Sequence, residues 1–126
     1  MIHFLIFTWG ISCLIDLSID FIKMDIEGYE YYALKGMRKL IKEQKPTMVI
    51  EYNLDRIHQL GLSNQNFKNI LDLHYDCYEI DRNNEDKGIF GLIPFKFDRV
   101  ESQANPGYTY VRTDLVCVPK TSYVLK

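Results

Sequence analysis

The chain has 126 residues, a length typical of one domain, and its 47% hydrophobic and 25% charged residues are usual for a globular protein. This composition argues against a disordered chain. The net charge is −2, without a long run of either sign. The sequence therefore gives no electrostatic reason to expect nucleic acid as a partner.

The chain begins with an apolar stretch over residues 2–15. Asp16 ends this stretch before it reaches the ~20 residues that a membrane-spanning helix needs. The stretch also lacks the basic residues and the cleavage site of a secretory signal. We predict that it joins the core as a strand and a turn; membrane contact through residues 2–15 and a signal sequence are the alternatives.

The middle of the chain alternates between strand and helix patterns. Residues 21–25 are a short apolar run, which predicts a strand. Residues 29–44 carry apolar side chains at helical spacing and precede Pro46, so we predict one helix over this range. Residues 47–52 predict the next strand. A strand–helix–strand unit of this kind joins parallel strands.

The second half of the chain predicts one more helix and three more strands. Ser63 is the expected N-cap of a helix over residues 64–73. The strands are expected at residues 76–81, 89–93 and 114–118, with a turn at 82–88. Residues 94–110 show no clear periodicity. The order of elements predicts an α/β fold of the doubly wound class.

The sequence has three cysteines, Cys13, Cys77 and Cys117, and no Cys-x-x-Cys spacing. A zinc knuckle or a redox motif of that kind is therefore not indicated. Cys77 and Cys117 each lie in an apolar run, so we predict reduced core thiols. Reduced thiols are typical of a reducing compartment, and we expect a cytoplasmic location.

The segment over residues 19–30 reads Ile-Asp-Phe-Ile-Lys-Met-Asp-Ile-Glu-Gly-Tyr-Glu. It is followed by Leu34-Lys35-Gly36, then by Pro46 and by Ile50-Glu51. This pattern resembles the signature of the FkbM family of methyltransferases, class I enzymes that use S-adenosylmethionine (SAM). The matching positions are Lys23, Asp25, Glu27, Gly28, Glu30, Leu34, Gly36 and Glu51. The strong resemblance covers residues 19–53, and a looser one reaches Lys120.

The resemblance implies a single domain over residues 1–126 that holds part of a Rossmann-like class I methyltransferase sheet. Residues 1–18 would be a divergent apolar segment, and residues 19–120 would hold strands four to seven, the last of them antiparallel. The amino-terminal half of the fold, with its glycine-rich SAM loop, would be missing, and no Gly-x-Gly occurs here. Truncation would leave one edge of strand four open. We expect residues 3–9 to cover that edge; otherwise a homodimer or an amino-terminal partner would.

The resemblance also implies the reaction, O-methylation of a hydroxyl on a sugar, lipid or secondary metabolite, with a small molecule or glycan as acceptor. Asp25, Glu27 and Glu51 would meet in one crevice at the carboxyl ends of adjacent strands. Asp25 or Glu27 would be the general base or would face the sulfonium of SAM. Glu51 and Asn53 would bind the acceptor, and Asp25 and Gly28 would contact SAM.

Other interpretations of the same residues stay open. Asp25 would cap the following helix, Glu27 and Glu30 would favour its dipole, and Gly28 would serve the turn. The chain would then be an inactive truncated homologue that acts as an interaction module. A further alternative is a metal-dependent hydrolase in which Asp25, Glu27 and Glu51 would hold a divalent cation, because hard ions bind carboxylates.

Overall fold

A computed structural model of the protein describes residues 4–6, 18–97 and 112–121. The elements in chain order are β1 (Phe4–Ile6), β2 (Phe21–Met24), α1 (Glu30–Gly36), α2 (Arg38–Gln44), β3 (Thr47–Asn53), α3 (Leu54–Gln59), α4 (Asn64–Leu71), β4 (Tyr75–Asn84), β5 (Ile89–Pro94) and β6 (Arg112–Pro119). A short 3₁₀ helix, Glu85–Lys87, lies between β4 and β5. The described strands form one open six-stranded sheet in the order β1-β2-β3-β6-β4-β5. The predicted α/β fold is confirmed.

The sheet is mixed, with parallel strands at one side. β1, β2 and β3 run parallel, whereas β6 is inserted between β3 and β4 and is antiparallel to both. The antiparallel final strand is therefore confirmed, as is the short strand after residue 88, which pairs with β4 as a hairpin. Each apolar run that predicted a strand forms one.

The open edge of β2 is covered by β1. Phe4 pairs with Phe21, and the parallel register continues to Ile6 and Lys23. The predicted covering strand is confirmed for residues 4–6; positions 3 and 7–9 lie outside the described residues. β1 thus covers this edge of β2, and a homodimer or an amino-terminal partner stays a prediction.

The single helix predicted over residues 29–44 is wrong, because the structure divides it at Met37. Met37 has φ −98° and ψ 11°, and its N–H donates both to the Ala33 carbonyl at 3.0 Å and to the Leu34 carbonyl at 3.2 Å. The preceding Gly36 has a helix propensity about 1 kcal/mol worse than alanine, which makes this the weakest point of the segment. The apolar stripe continues across the junction, since Met37, Leu40 and Ile41 are all buried, so periodicity gives no sign of the break.

Two other boundaries differ from the predictions. α4 ends at Leu71 rather than at residue 73, and Leu73 is 74% exposed. α3 was not predicted, because it is only six residues long and shows no full period of apolar positions. The turn predicted over residues 82–88 is shorter in the structure, because β4 continues to Asn84.

The hydrophobic core lies on one face of the sheet. Alternate strand residues are fully buried, and they belong to one cluster with apolar residues of all four helices and with Met37 between α1 and α2: Ile22, Met24, Met48, Ile50, Tyr52, Leu115 and Cys117 from the strands, and Leu34, Ile41, Leu54, Ile57, Phe67 and Leu71 from the helices. Burial of this alternate set fixes which side chains point away from the helices. Among the described residues, no helix is long and apolar enough to cross a membrane.

Candidate active site

A tight turn connects β2 to α1 and presents the acidic residues of the sequence motif. Asp25 follows the last residue of β2. Glu27 has φ +56° and Gly28 has φ +98°, both in the left-handed half of backbone space that favours glycine. The Tyr29 N–H donates to the Ile26 carbonyl at 3.3 Å and closes the turn. The chain can therefore reverse within a few residues and enter the helix at Glu30.

Gly28 is also the point where this turn meets α3. The residue is buried, and a Cβ placed on it would lie 2.9 Å from the Cβ of Arg56 and 3.4 Å from the Cδ1 of Leu60. A side chain at this position would therefore be opposed by both its backbone angle and its neighbour. The turn interpretation of Gly28 accounts for the residue, and contact with SAM stays a prediction.

Three carboxylates come together where β2 and β3 end. One oxygen each from Asp25, Glu30 and Glu51 lies within 4.8 Å of the others. Asp25 is exposed, whereas Glu30 is 2% and Glu51 is 8% exposed. Because β2 and β3 are adjacent and parallel, their carboxyl ends lie at the same edge of the sheet. The predicted meeting of Asp25 and Glu51 follows from this pairing.

Glu30 points back across the turn rather than out from the helix. Its Oε1 accepts a hydrogen bond of 2.9 Å from the Ile26 N–H. Burial raises the pKa of Glu30, hydrogen bonds from the backbone oppose that rise, and the negative charge of Asp25 adds to it. Glu30 therefore holds a proton more readily than an exposed glutamate does.

A cavity of about 480 Å³ adjoins this cluster. It is lined by residues of β2, β3, β4 and β6 and by the residue after β2: Lys23, Met24, Asp25, Val49, Glu51, Ile80, Thr113 and Asp114. Glu51 and Asp114 are direct partners across the β3–β6 ladder. The volume is within the range of about 300–1,000 Å³ found for small-molecule sites. Carboxylates and one ammonium group in the wall suit a ligand that carries both charges.

The structure separates the predicted site residues. Asp25 and Glu51 line the cavity, whereas Glu27 is exposed and belongs neither to the described cavity lining nor to the carboxylate cluster. The Oδ1 of Asn53 accepts a 3.3 Å hydrogen bond from the Arg56 N–H and caps α3. The catalytic and binding roles of these four residues stay predictions.

Sequence reasoning missed Glu30, Thr113 and Asp114 as site residues. Glu30 matches the motif and lies where it would favour the helix dipole, but the sequence does not show the direction of its side chain. Asp114 lines the cavity because the register between β3 and β6 places it opposite Glu51. The spacing of apolar residues does not predict that register. The cluster of Asp25, Glu30 and Glu51 offers the oxygen ligands that hard divalent cations bind, with Glu30 in the place expected for Glu27.

A family model described as the methyltransferase FkbM domain matches residues 14–84, more than half of the 126-residue chain. The matched range includes the β2–α1 turn and all three carboxylates of the cluster. It ends where β4 ends, so Thr113 and Asp114 lie beyond it. No curated protein and no solved structure shows a significant match.

Proposed function

This chain belongs to the FkbM methyltransferase family, and on that premise we propose that its cavity serves methyl transfer from SAM to a hydroxyl oxygen. One observation carries the proposal: Asp25 and Glu51, from the ends of two adjacent parallel strands, line a single cavity. Open α/β sheets bind their ligands at that edge. The acceptor class that we infer is a sugar, a lipid or a secondary metabolite, as a free small molecule or as a glycan.

The order of the strands supports a class I methyltransferase sheet. The described order β2-β3-β6-β4, with β6 antiparallel, corresponds to strands four, five, seven and six of that fold. We infer that the chain supplies this half of a Rossmann-like sheet. β1 stands beside β2 where the remaining strands of such a sheet would continue.

The chemistry of the cavity wall fits SAM. When bound, SAM supplies a methyl group carried on a positively charged sulfur. Asp25 and Glu51 provide negative charge that would face such a cation, and the Lys23 ammonium in the same wall would pair with a carboxylate. Of the two residues predicted to contact SAM, Asp25 lines the cavity, whereas Gly28 lies against Arg56. A contact between SAM and Asp25 is therefore the better supported of the two predictions.

The residues of the chain would act by position and by proton transfer. Asp25 is exposed next to the cavity and would take the proton of the acceptor hydroxyl, a contribution typically of about 10²–10⁴-fold in rate. Glu51 would orient that hydroxyl from the neighbouring strand. Glu30 would help to hold the turn next to Asp25, because its Oε1 accepts a hydrogen bond from the Ile26 N–H. Holding the acceptor in place supplies much of the remaining rate.

Calorimetric titration with SAM, and with its demethylated product, tests the proposal. We expect binding that Asp25→Asn and Glu51→Gln weaken at least about tenfold, since each removes a carboxylate from the cavity wall. Glu43→Gln is the matched control, because Glu43 is an exposed residue of α2 and the change removes the same charge. Glu27→Gln tests which acidic residue of the turn is the base. If this variant keeps binding and activity, the base is Asp25.

The opposite results favour the alternatives. No heat with SAM or with its product would favour an inactive homologue that acts as an interaction module. Binding of Mg²⁺ or Ca²⁺ alone that Asp25→Asn abolishes, without binding of SAM, would favour the metal-dependent hydrolase.

A further inference from the structure

Two cysteines face each other across neighbouring strands of the sheet. Cys77 in β4 is the direct partner of Cys117 in β6, and their sulfur atoms lie 3.7 Å apart. Both are free thiols; Cys117 is buried and Cys77 is half-buried. The pair lies on the core face of the sheet, where Cys117 joins the hydrophobic cluster and Cys77 packs against it. Neither residue lines the proposed methyl-transfer cavity.

The backbone hydrogen bonds show which kind of cross-strand pair this is. The Cys77 carbonyl accepts from the Phe95 N–H at 2.9 Å, so the backbone polar groups of Cys77 face β5 rather than β6. The His74 carbonyl accepts from the Lys120 N–H at 2.8 Å. The His74–Lys120 pair is thus hydrogen-bonded, and Cys77, three residues further along the strand, falls in the alternate class. Cys77 and Cys117 therefore form a non-hydrogen-bonded pair.

This class of pair suits a disulfide. Its Cα atoms are about 4.5 Å apart, inside the range of about 4.4–6.8 Å that disulfides span. The two sulfur atoms, now 3.7 Å apart, need to approach to about 2.05 Å. Rotation of the two side chains accounts for that approach, and the strands keep their register.

We propose that Cys77 and Cys117 are an oxidative modification site, at which a hydroperoxide forms a disulfide between β4 and β6. The sulfur of Cys77, the more accessible of the two, attacks one peroxide oxygen; the O–O bond breaks, and Cys77 becomes a sulfenic acid. With hydrogen peroxide the other oxygen leaves as water. The sulfur of Cys117 then attacks the Cys77 sulfur and loses its proton, and the S–O bond breaks to release a second water. Two thiols are oxidised by two electrons, and one peroxide is reduced to two waters.

Two further features agree with this order of events. The hydrogen bond with Cys77 and burial raise the pKa of the Cys117 thiol, which keeps Cys117 protonated until its partner is oxidised. The two residues are 40 positions apart, so the disulfide closes a long loop. Loop closure restricts the unfolded chain and should raise the midpoint of thermal unfolding by roughly 10 °C.

Oxidation of the full chain with hydrogen peroxide tests the site, both in the wild-type sequence and in Cys13→Ser. Alkylation of the denatured protein followed by mass spectrometry counts the remaining thiols, and peptide mapping identifies the linked residues. We expect the thiols of Cys77 and Cys117 to disappear together, one linked peptide pair to appear, and dithiothreitol to restore both. In the control Cys13→Ser with Cys77→Ser, Cys117 should stay a thiol because it is buried.

Three results would overturn the inference. The first is that both thiols of Cys13→Ser remain open to alkylation after oxidation. The second is that Cys77 proceeds to a sulfinic acid while Cys117 stays unmodified. The third is that Cys13 forms the disulfide in the wild-type chain in place of Cys77 or Cys117.

Discussion

Replacing Gly28 by alanine tests how the turn between β2 and α1 is built. Gly28 has φ +98°, and a Cβ there would lie 2.9 Å from the Cβ of Arg56. The Arg56 atom is attached directly to the backbone of α3, so it cannot swing aside as the end of a flexible side chain would. Relief requires movement of α3 or of the turn that carries Asp25 and Glu30.

The expected cost has two parts. A residue with a Cβ in left-handed conformation costs about 1–2 kcal/mol, and the added methyl group in a filled space costs about 1–3 kcal/mol. Alanine also restricts the unfolded chain, which returns about 0.4–1 kcal/mol. Gly28→Ala should therefore lower the free energy of unfolding by about 1–5 kcal/mol.

Gly61→Ala is the matched control. Gly61 has φ +74°, but nothing lies within 4 Å of a Cβ placed there. This variant carries the backbone cost and the same effect on the unfolded chain, but it lacks the contact. The difference between the two variants isolates the contact and should be about 1–3 kcal/mol in urea unfolding. Equal losses of stability would show that α3 does not limit the space at Gly28.

Two other substitutions address the site. Because the pKa of Glu30 is raised above its usual 4.5, the folded state keeps a proton that the unfolded state releases, so stability should fall as pH rises from 4.5 to the folded value and then level off. Glu30→Gln keeps an acceptor for the Ile26 N–H and should remove that fall in urea unfolding between pH 4 and 8; an unchanged profile would mean that another group causes it. Asn53→Ala should cost about 1 kcal/mol through the lost cap of α3. Weaker acceptor binding at unchanged stability would instead support the predicted substrate role.

Most strands of the described sheet could be predicted because they contain short apolar runs that lie between turn residues. Their adjacency could be predicted in part: the helical segment between β2 and β3 forces a parallel crossover, and the open edge of β2 required a covering strand. Both expectations hold in the structure. These features follow from the need to bury apolar surface and to pair backbone groups. The spacing of apolar and turn residues along the sequence is enough to predict them.

Features that depend on the direction of a side chain or on long-range register could not be predicted. The Glu30 side chain can point back across the turn because Glu27 and Gly28 have positive φ angles. The spacing of apolar residues in the sequence does not predict such backbone angles. The pairing of Glu51 with Asp114, like that of Cys77 with Cys117, depends on how β6 enters the sheet. A one-residue slip of β6 would turn Asp114 and Cys117 to the opposite face of the sheet.

The structure also changes what the acidic motif means. Gly28 lets the turn approach α3, and Glu30 satisfies the Ile26 N–H from a buried position. Glu27 occupies a left-handed position in the turn and points to solvent. Gly28 and Glu30 thus have structural contacts in and around the turn, and the catalytic roles of Asp25 and Glu27 stay predictions. Loss of activity on substitution of Gly28 or Glu30 would therefore be no proof of contact with substrate, whereas Asp25→Asn, which disturbs no described hydrogen bond of the turn, tests the chemistry directly.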